Sequence, residues 1–191
     1  GLLGKNPQAA NQIALNLSSM TYMVAIGVGV TAMIRVGNQK GKGDFGALRR
    51  IAKSTFLLIF LMDFLFCLFF VFMHGQLPWL YLNSNVDHVS PDVLEVAQTA
   101  SVLILIAAFF QIADGLQAVV LGALRGLQDV NLPALLIFIS YGIVGFPIAY
   151  YMGLKTSWAT AGIWIGLLSG LTLSALLLIS RFHYLSKKLV S

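Results

Sequence analysis

Residues 109–133, FFQIADGLQAVVLGALRGLQDVNLP, decide how this chain folds. The first half is an apolar helix that carries one carboxylate, Asp114. The second half reaches Arg125 and Gly126 and turns before Pro133. A carboxylate near the middle of a bilayer costs about 2.5–3.5 kcal/mol on insertion scales, so it persists only where something uses or satisfies it. Gln111 and Gln117 lie one turn to either side, at i−3 and i+3, and give an otherwise greasy helix a short polar stripe. Such a stripe reads as the lining of a cavity, facing away from lipid.

The chain around this stretch is apolar throughout. Of its 191 residues 58% are hydrophobic and 10% charged, with a mean hydropathy of +0.85. A soluble domain is about a quarter charged, so the fold class is an all-α polytopic membrane protein. The net charge of +5 does not point to nucleic acid, because the basic residues fall at the ends of apolar runs and form no single face. The one cysteine, Cys67, excludes an intrachain disulfide and reads as a small core- or lipid-facing residue.

Five runs are predicted to span the membrane, at about residues 12–35, 51–73, 96–124, 133–152 and 159–180. In the first, Gln12, Asn16 and Ser19 share a face, either as interhelical hydrogen-bonding groups or as a cavity wall. Residues 35–53 carry six basic side chains against Asp44 alone, which places this connection on the cytoplasmic side. Within it, Gly41 to Gly46 (GKGDFG) matches GxGxxG, but no strand precedes it, so a glycine turn with an Asp44 N-cap is the better account. Asp63, central in the second span, has no polar neighbour on its own face. Its partner must come from another helix or from cavity water, or it is protonated, and it ranks below Asp114.

Residues 74–94 contain no Lys or Arg and form an external loop, with Trp79 and Tyr81 as interface anchors and His74 and His88 as solvated histidines without metal-ligand spacing. In the fourth span Pro147, with Gly142 and Gly145 nearby, predicts a kink. In the last, Gly162, Gly166, Gly170 and Ser174 form a small-residue ridge for close helix packing. Ten of the twelve Lys and Arg then lie inside, with Lys5 and Lys155 outside. The C-terminus is cytoplasmic, and an odd number of spans starting outside implies an upstream helix.

The run Gln111-Ile112-Ala113-Asp114-Gly115-Leu116-Gln117, followed by Leu124-Arg125-Gly126-Leu127-Gln128-Asp129 and Pro133, resembles the multidrug and toxic compound extrusion (MATE) family, NorM-like branch. Gln12-Ile13-Ala14-Leu15-Asn16, Arg35-Val36-Gly37-Asn38 with Gly41 and Gly43, and Gly162-Ile163-Trp164-Ile165-Gly166 extend the resemblance over nearly the whole chain. It implies five transmembrane helices of a six-helix lobe: the C-terminal lobe without its first helix, and without the N-terminal lobe. It further implies an antiporter in the cell (inner) membrane that exports organic cations and drugs against Na+ or H+, with no cofactor and no nucleic-acid partner. Asp114 is then the ion-coupling and substrate-binding carboxylate and the candidate Na+ ligand, assisted by Gln111 and Gln117. In the family a glutamate on the missing helix works with this carboxylate. Phe110 stands where some relatives have a tyrosine, Ala25 where proline is frequent and Asn11 where histidine is usual; these departures bear on ion preference. Gln12, Asn16, Ser19 and Asp63 are candidate cavity-lining residues.

Two other readings compete. A lipid-linked oligosaccharide flippase of the same superfamily would want a basic central cavity, whereas the charges near the midplane here are acidic. A membrane-embedded enzyme or a structural subunit is the third; for an enzyme, Asp63 and Asp114 would be the only catalytic pair.

Overall fold

The computed structural model describes residues 4–82 and 90–189; His88 and the loop around it lie outside these. Five helices are long and apolar enough to cross a membrane, and among the described residues there is no strand. Helix α1 is Lys5–Lys42, α2 Phe45–Met73 and α3 Pro91–Gly126. The fourth span is built of α4 (Asn131–Ile139), a π-helical turn (Ser140–Gly145) and α5 (Phe146–Leu154), and α6 is Ala159–Lys188. The helices overrun the expected spans because their polar ends continue beyond the apolar core. At 1.5 Å per residue α1 is about 57 Å long, against a hydrocarbon core of about 30 Å.

Helix α3 is central, and α1 packs along it backbone to backbone. Gly29 lies against the carbonyl of Ala118, Gly122 against the carbonyl of Gly29, and Gly126 against Met33 and Gly37. Small residues at these positions let dispersion and Cα–H···O contacts act between helices that lipid gives no hydrophobic reason to associate. The expected ridge on α6 does the same for the fourth span. Gly162 meets the backbone of Met152, Gly166 that of Ala149, and Gly170 that of Gly145. The outward faces carry bulky apolar side chains such as Met23, Phe72 and Phe138, each more than two-thirds exposed.

The expected kink takes the form of the π-helical turn. Pro147 has no N–H for the Ile143 carbonyl, and its ring crowds that carbonyl, so the preceding turn widens. Pro133 lies inside the first turn of α4 rather than ahead of it, where its missing N–H costs nothing.

The connection with the GxGxxG pattern is a helix stop followed at once by a helix start. Gly43, at φ 71°, closes α1, and Asp44 Oδ1 accepts from the Ala47 N–H at 2.8 Å to cap α2. Helix α3 ends in the same way with Gln128 in the left-handed region, at φ 63°. Its geometry is held by Lys40, whose Nζ donates to the Leu127 carbonyl at 2.7 Å and to Gln128 Oε1 at 3.0 Å. Arg181 Nε pairs with Asp129 Oδ2 at 2.9 Å and ties α6 to the same end. At the opposite end Asn6 donates to Glu95 Oε2 at 2.7 Å, joining the starts of α1 and α3. The basic residues expected on one side thus gather at one end of the bundle. His74 is not a free loop histidine: it closes α2 and its Nδ1 shares a 2.6 Å hydrogen bond with Ser101 Oγ of α3.

A methyl group at position 122 has nowhere to go. We expect Gly122→Ala to lower stability by about 1–3 kcal/mol through overpacking, read as a fall in the melting temperature of detergent-purified protein. Gly27→Ala, where nothing lies within 4 Å, should leave that temperature unchanged.

Candidate functional site

Asp114 stands between two cavities. On one side is an opening of about 340 Å³ walled by α1, α3 and α6, where Ser18, Ser19 and Tyr22 face Phe110, Asp114 and Trp164. That volume is within the range of small-molecule sites. The Trp164 indole N–H donates to Asn11 Oδ1 at 2.8 Å, and the Phe110 ring meets the indole edge-on at 5.5 Å. The opening is therefore an aromatic-walled chamber with one carboxylate. A neighbouring cavity of about 480 Å³ shares Asn11, Ile163 and Leu167 with it and carries no Asp, Glu, Lys, Arg or His.

On its other side Asp114 reaches a closed cleft with Thr21, Tyr22, Ala25, Asp63, Gln111 and Gly115, which has no room for a water molecule. Asp63 is 1% exposed and Gln111 4%. Neither Asp63 Oδ2 nor the Gln111 side-chain amide has a hydrogen-bond partner. The Asp63 carboxyl lies directly on Gly115: a Cβ there would collide with Oδ2 and come within 2.8 Å of Cγ. Asp63, which lacks a polar neighbour on its own helix, thus finds its surroundings on α3.

The candidate residues separate accordingly. Gln111 joins Asp114 and Asp63 in the closed cleft, while Gln117 accepts a 3.4 Å hydrogen bond from the Tyr141 hydroxyl. Three residues along a helix turn the chain 300°, so i−3 and i+3 lie about 60° to either side of Asp114 and meet different neighbours. The π-helical turn carries Tyr141, which brings it to α3. Phe110 and Ser19 line the open chamber with Asp114. Gln12 and Asn16 do not reach it: both are exposed, and Gln12 Nε2 donates to Asn16 Oδ1 at 3.3 Å. The face of α1 that meets Asp114 is the adjacent one, with Asn11, Leu15, Ser18 and Tyr22.

Tyr22, Tyr141, Trp164 and Gly115 were not selected from the sequence. An aromatic or a glycine in an apolar span has no local mark of function. Asp63 did have such a mark. Leu48, Ala52, Thr55, Ile59, Asp63, Cys67 and Phe70 are the buried residues of α2, and they follow one another at steps of three and four. Among the described residues no three His, Cys, Asp or Glu are grouped to hold a metal ion.

Comparison with known proteins places this arrangement. The MatE family model matches residues 1–151. The probable multidrug resistance protein NorM of Xanthomonas axonopodis pv. citri is 37% identical over 191 residues, covering 100% of this chain and 40% of that protein. Its counterpart in Rhodopseudomonas palustris is 37% identical over 179 residues, 94% of this chain and 37% of that protein. The chain therefore spans about 40% of the length of the curated relatives it matches. Among solved structures, the eukaryotic MATE transporter AtDTX14 superposes with a TM-score of 0.83 at 18% identity, over 96% of this chain and 40% of that one. An outward-facing multidrug resistance MATE family transporter gives 0.83 at 15% identity, over 97% and 40%. These two likenesses concern the fold alone. With the family model matching most of its length and relatives more than a third identical along it, this chain belongs to the MatE family.

Proposed function

We propose that the chain is part of the C-terminal lobe of a cation-coupled multidrug efflux antiporter, and that Asp114 is the anionic seat which the coupling ion, Na+ or H+, and an organic cation take in turn. The observation that carries this reading is the position of Asp114 on the wall of an aromatic chamber whose named lining includes no Lys, Arg or His. The relatives' name, multidrug resistance protein, supports drugs as the exported class.

A carboxylate in a low-dielectric chamber needs a countercharge, and two cations that compete for it exclude each other. Phe110, Trp164 and Tyr22 add ring faces and edges to hold a flat or bulky organic cation. Exchange follows when the ion-loaded and drug-loaded forms favour opposite openings, as the lobes rock about the membrane midplane. An oligosaccharide pyrophosphate would find no basic group among the lining residues of the chamber or of the cavity beside it.

In the complete transporter, Asp114→Asn should abolish ethidium efflux from whole cells while membrane insertion, followed by immunoblot of the membrane fraction, is retained. Efflux equal to the parent would overturn the assignment. We also place the C-terminus in the cytoplasm of a cell whose inner membrane holds the protein. A cysteine at position 155 should then react with a membrane-impermeant maleimide in intact cells, and one at position 187 only after permeabilisation. The native Cys67 is buried and should contribute little background.

A further inference from the structure

We propose that Asp63 and Asp114 hold one proton between them across Gly115, with Asp63 as its inner, water-shielded seat, and that an organic cation arriving at Asp114 expels it. This rests on Asp114 being the cation seat, and it adds a second carboxyl and an identity for the coupling ion.

Three features of the cleft carry the inference. First, Asp63 Oδ2 and both polar atoms of the Gln111 amide are buried without a partner and line the same space. An ionised Asp63 there would be a desolvated charge, whereas a neutral carboxyl supplies both a donor and an acceptor. Second, among the described residues no Lys, Arg or His lines the cleft; Arg125, eleven residues along α3 from Asp114, acts on Tyr22 from a distance. The titratable groups facing the cleft are Tyr22 from α1 and Asp114 from α3, with Cys67 one turn along α2 from Asp63. Tyr141 of the fourth span lies within electrostatic range of Asp114, and α6 lines the open chamber without entering the cleft. Two carboxylates so placed behave as a dyad, because ionising the second against the first is costly. Third, the space has no room for a water molecule, and a proton needs none. The glycine at 115 is what admits the Asp63 carboxyl to this position.

The step balances simply. The O–H bond of the shared carboxyl breaks, the proton leaves past Asp114 through the open chamber to water, and the cation seated at Asp114 replaces the positive charge lost, so that the two carboxylates face one cation in place of one proton. Nothing is oxidised or reduced.

The test uses the complete transporter purified in detergent, with tetraphenylphosphonium as the probe. In weakly buffered solution containing a pH indicator, the parent protein should release about one proton per probe bound. Binding measured against pH should have its midpoint lower by about one unit or more in Asp63→Asn, because Asp114 then ionises without a like charge beside it. Gly115→Ala, which pushes the Asp63 carboxyl out of the cleft, should move the midpoint the same way, and Asp63→Glu should move it less than Asp63→Asn. Should Asp63→Asn fail to fold, the midpoint in Gly115→Ala decides, an unmoved midpoint there overturning the proposal. Probe binding without proton release, displacement of the probe by Na+ at fixed pH without proton release, or an unmoved midpoint in Asp63→Asn would each overturn the proposal. Loss of binding in Asp114→Asn beside an unmoved midpoint in Asp63→Asn would sink the dyad alone. Retained binding in Asp114→Asn would sink the reading on which it rests, and the dyad with it.

Discussion

Backbone lies on backbone where α1 crosses α3, and the rest of the structure depends on that contact. Gly29 and Gly37 on one helix meet Ala118, Gly122 and Gly126 on the other. Inside a bilayer, helices gain nothing from hiding apolar surface, because lipid is as apolar as they are. Close approach supplies the dispersion instead, and it fixes how α1 is turned about its own axis. Tyr22 and Ser18 then face Asp114, whereas Gln12 and Asn16 look outward. A second seam, between the α6 ridge and the fourth span, sets Trp164 against Phe110 and Asn11 and so completes the chamber.

Polar groups within this frame are few, and their arrangement is economical. At one end Lys40 and Arg181 fasten the ends of α1 and α6 to the turn after α3. At the other, Asn6 and His74 fasten the starts and ends of neighbouring helices. Between these ends the described residues carry little charge, and the exceptions, Asp63 and Asp114, line one closed cleft with Gly115. The fold thus places its polar clamps at the edges and two acids without a cationic partner at its centre.

Much of this was legible in the residues. The five spans, the α6 ridge and the disturbance before Pro147 follow from hydropathy and small-residue spacing, which are local and periodic properties. Asp114 was legible because a carboxylate in an apolar helix is expensive wherever it lies. What escaped was the relation between helices. A sequence gives the rotation of a helix only through its own stripe, so Gln111 and Gln117 read as one set although Tyr141 and Asp63 draw them apart. Asp63 has no polar neighbour on α2, and the sequence leaves open which other helix or water faces it; in the structure it lies against α3. The glycine that makes room for it is one of 18 in the chain, and nothing local sets it apart.

The central claim is that the pair of membrane-buried carboxyls holds a proton until an organic cation takes the seat. Dicyclohexylcarbodiimide, an apolar reagent that modifies protonated carboxyls, tests this most directly when applied to the complete transporter and followed by peptide mass spectrometry. The account predicts an adduct on Asp114 or Asp63 that is suppressed by excess tetraphenylphosphonium. Absence of modification at both residues, or modification indifferent to the cation, would contradict it.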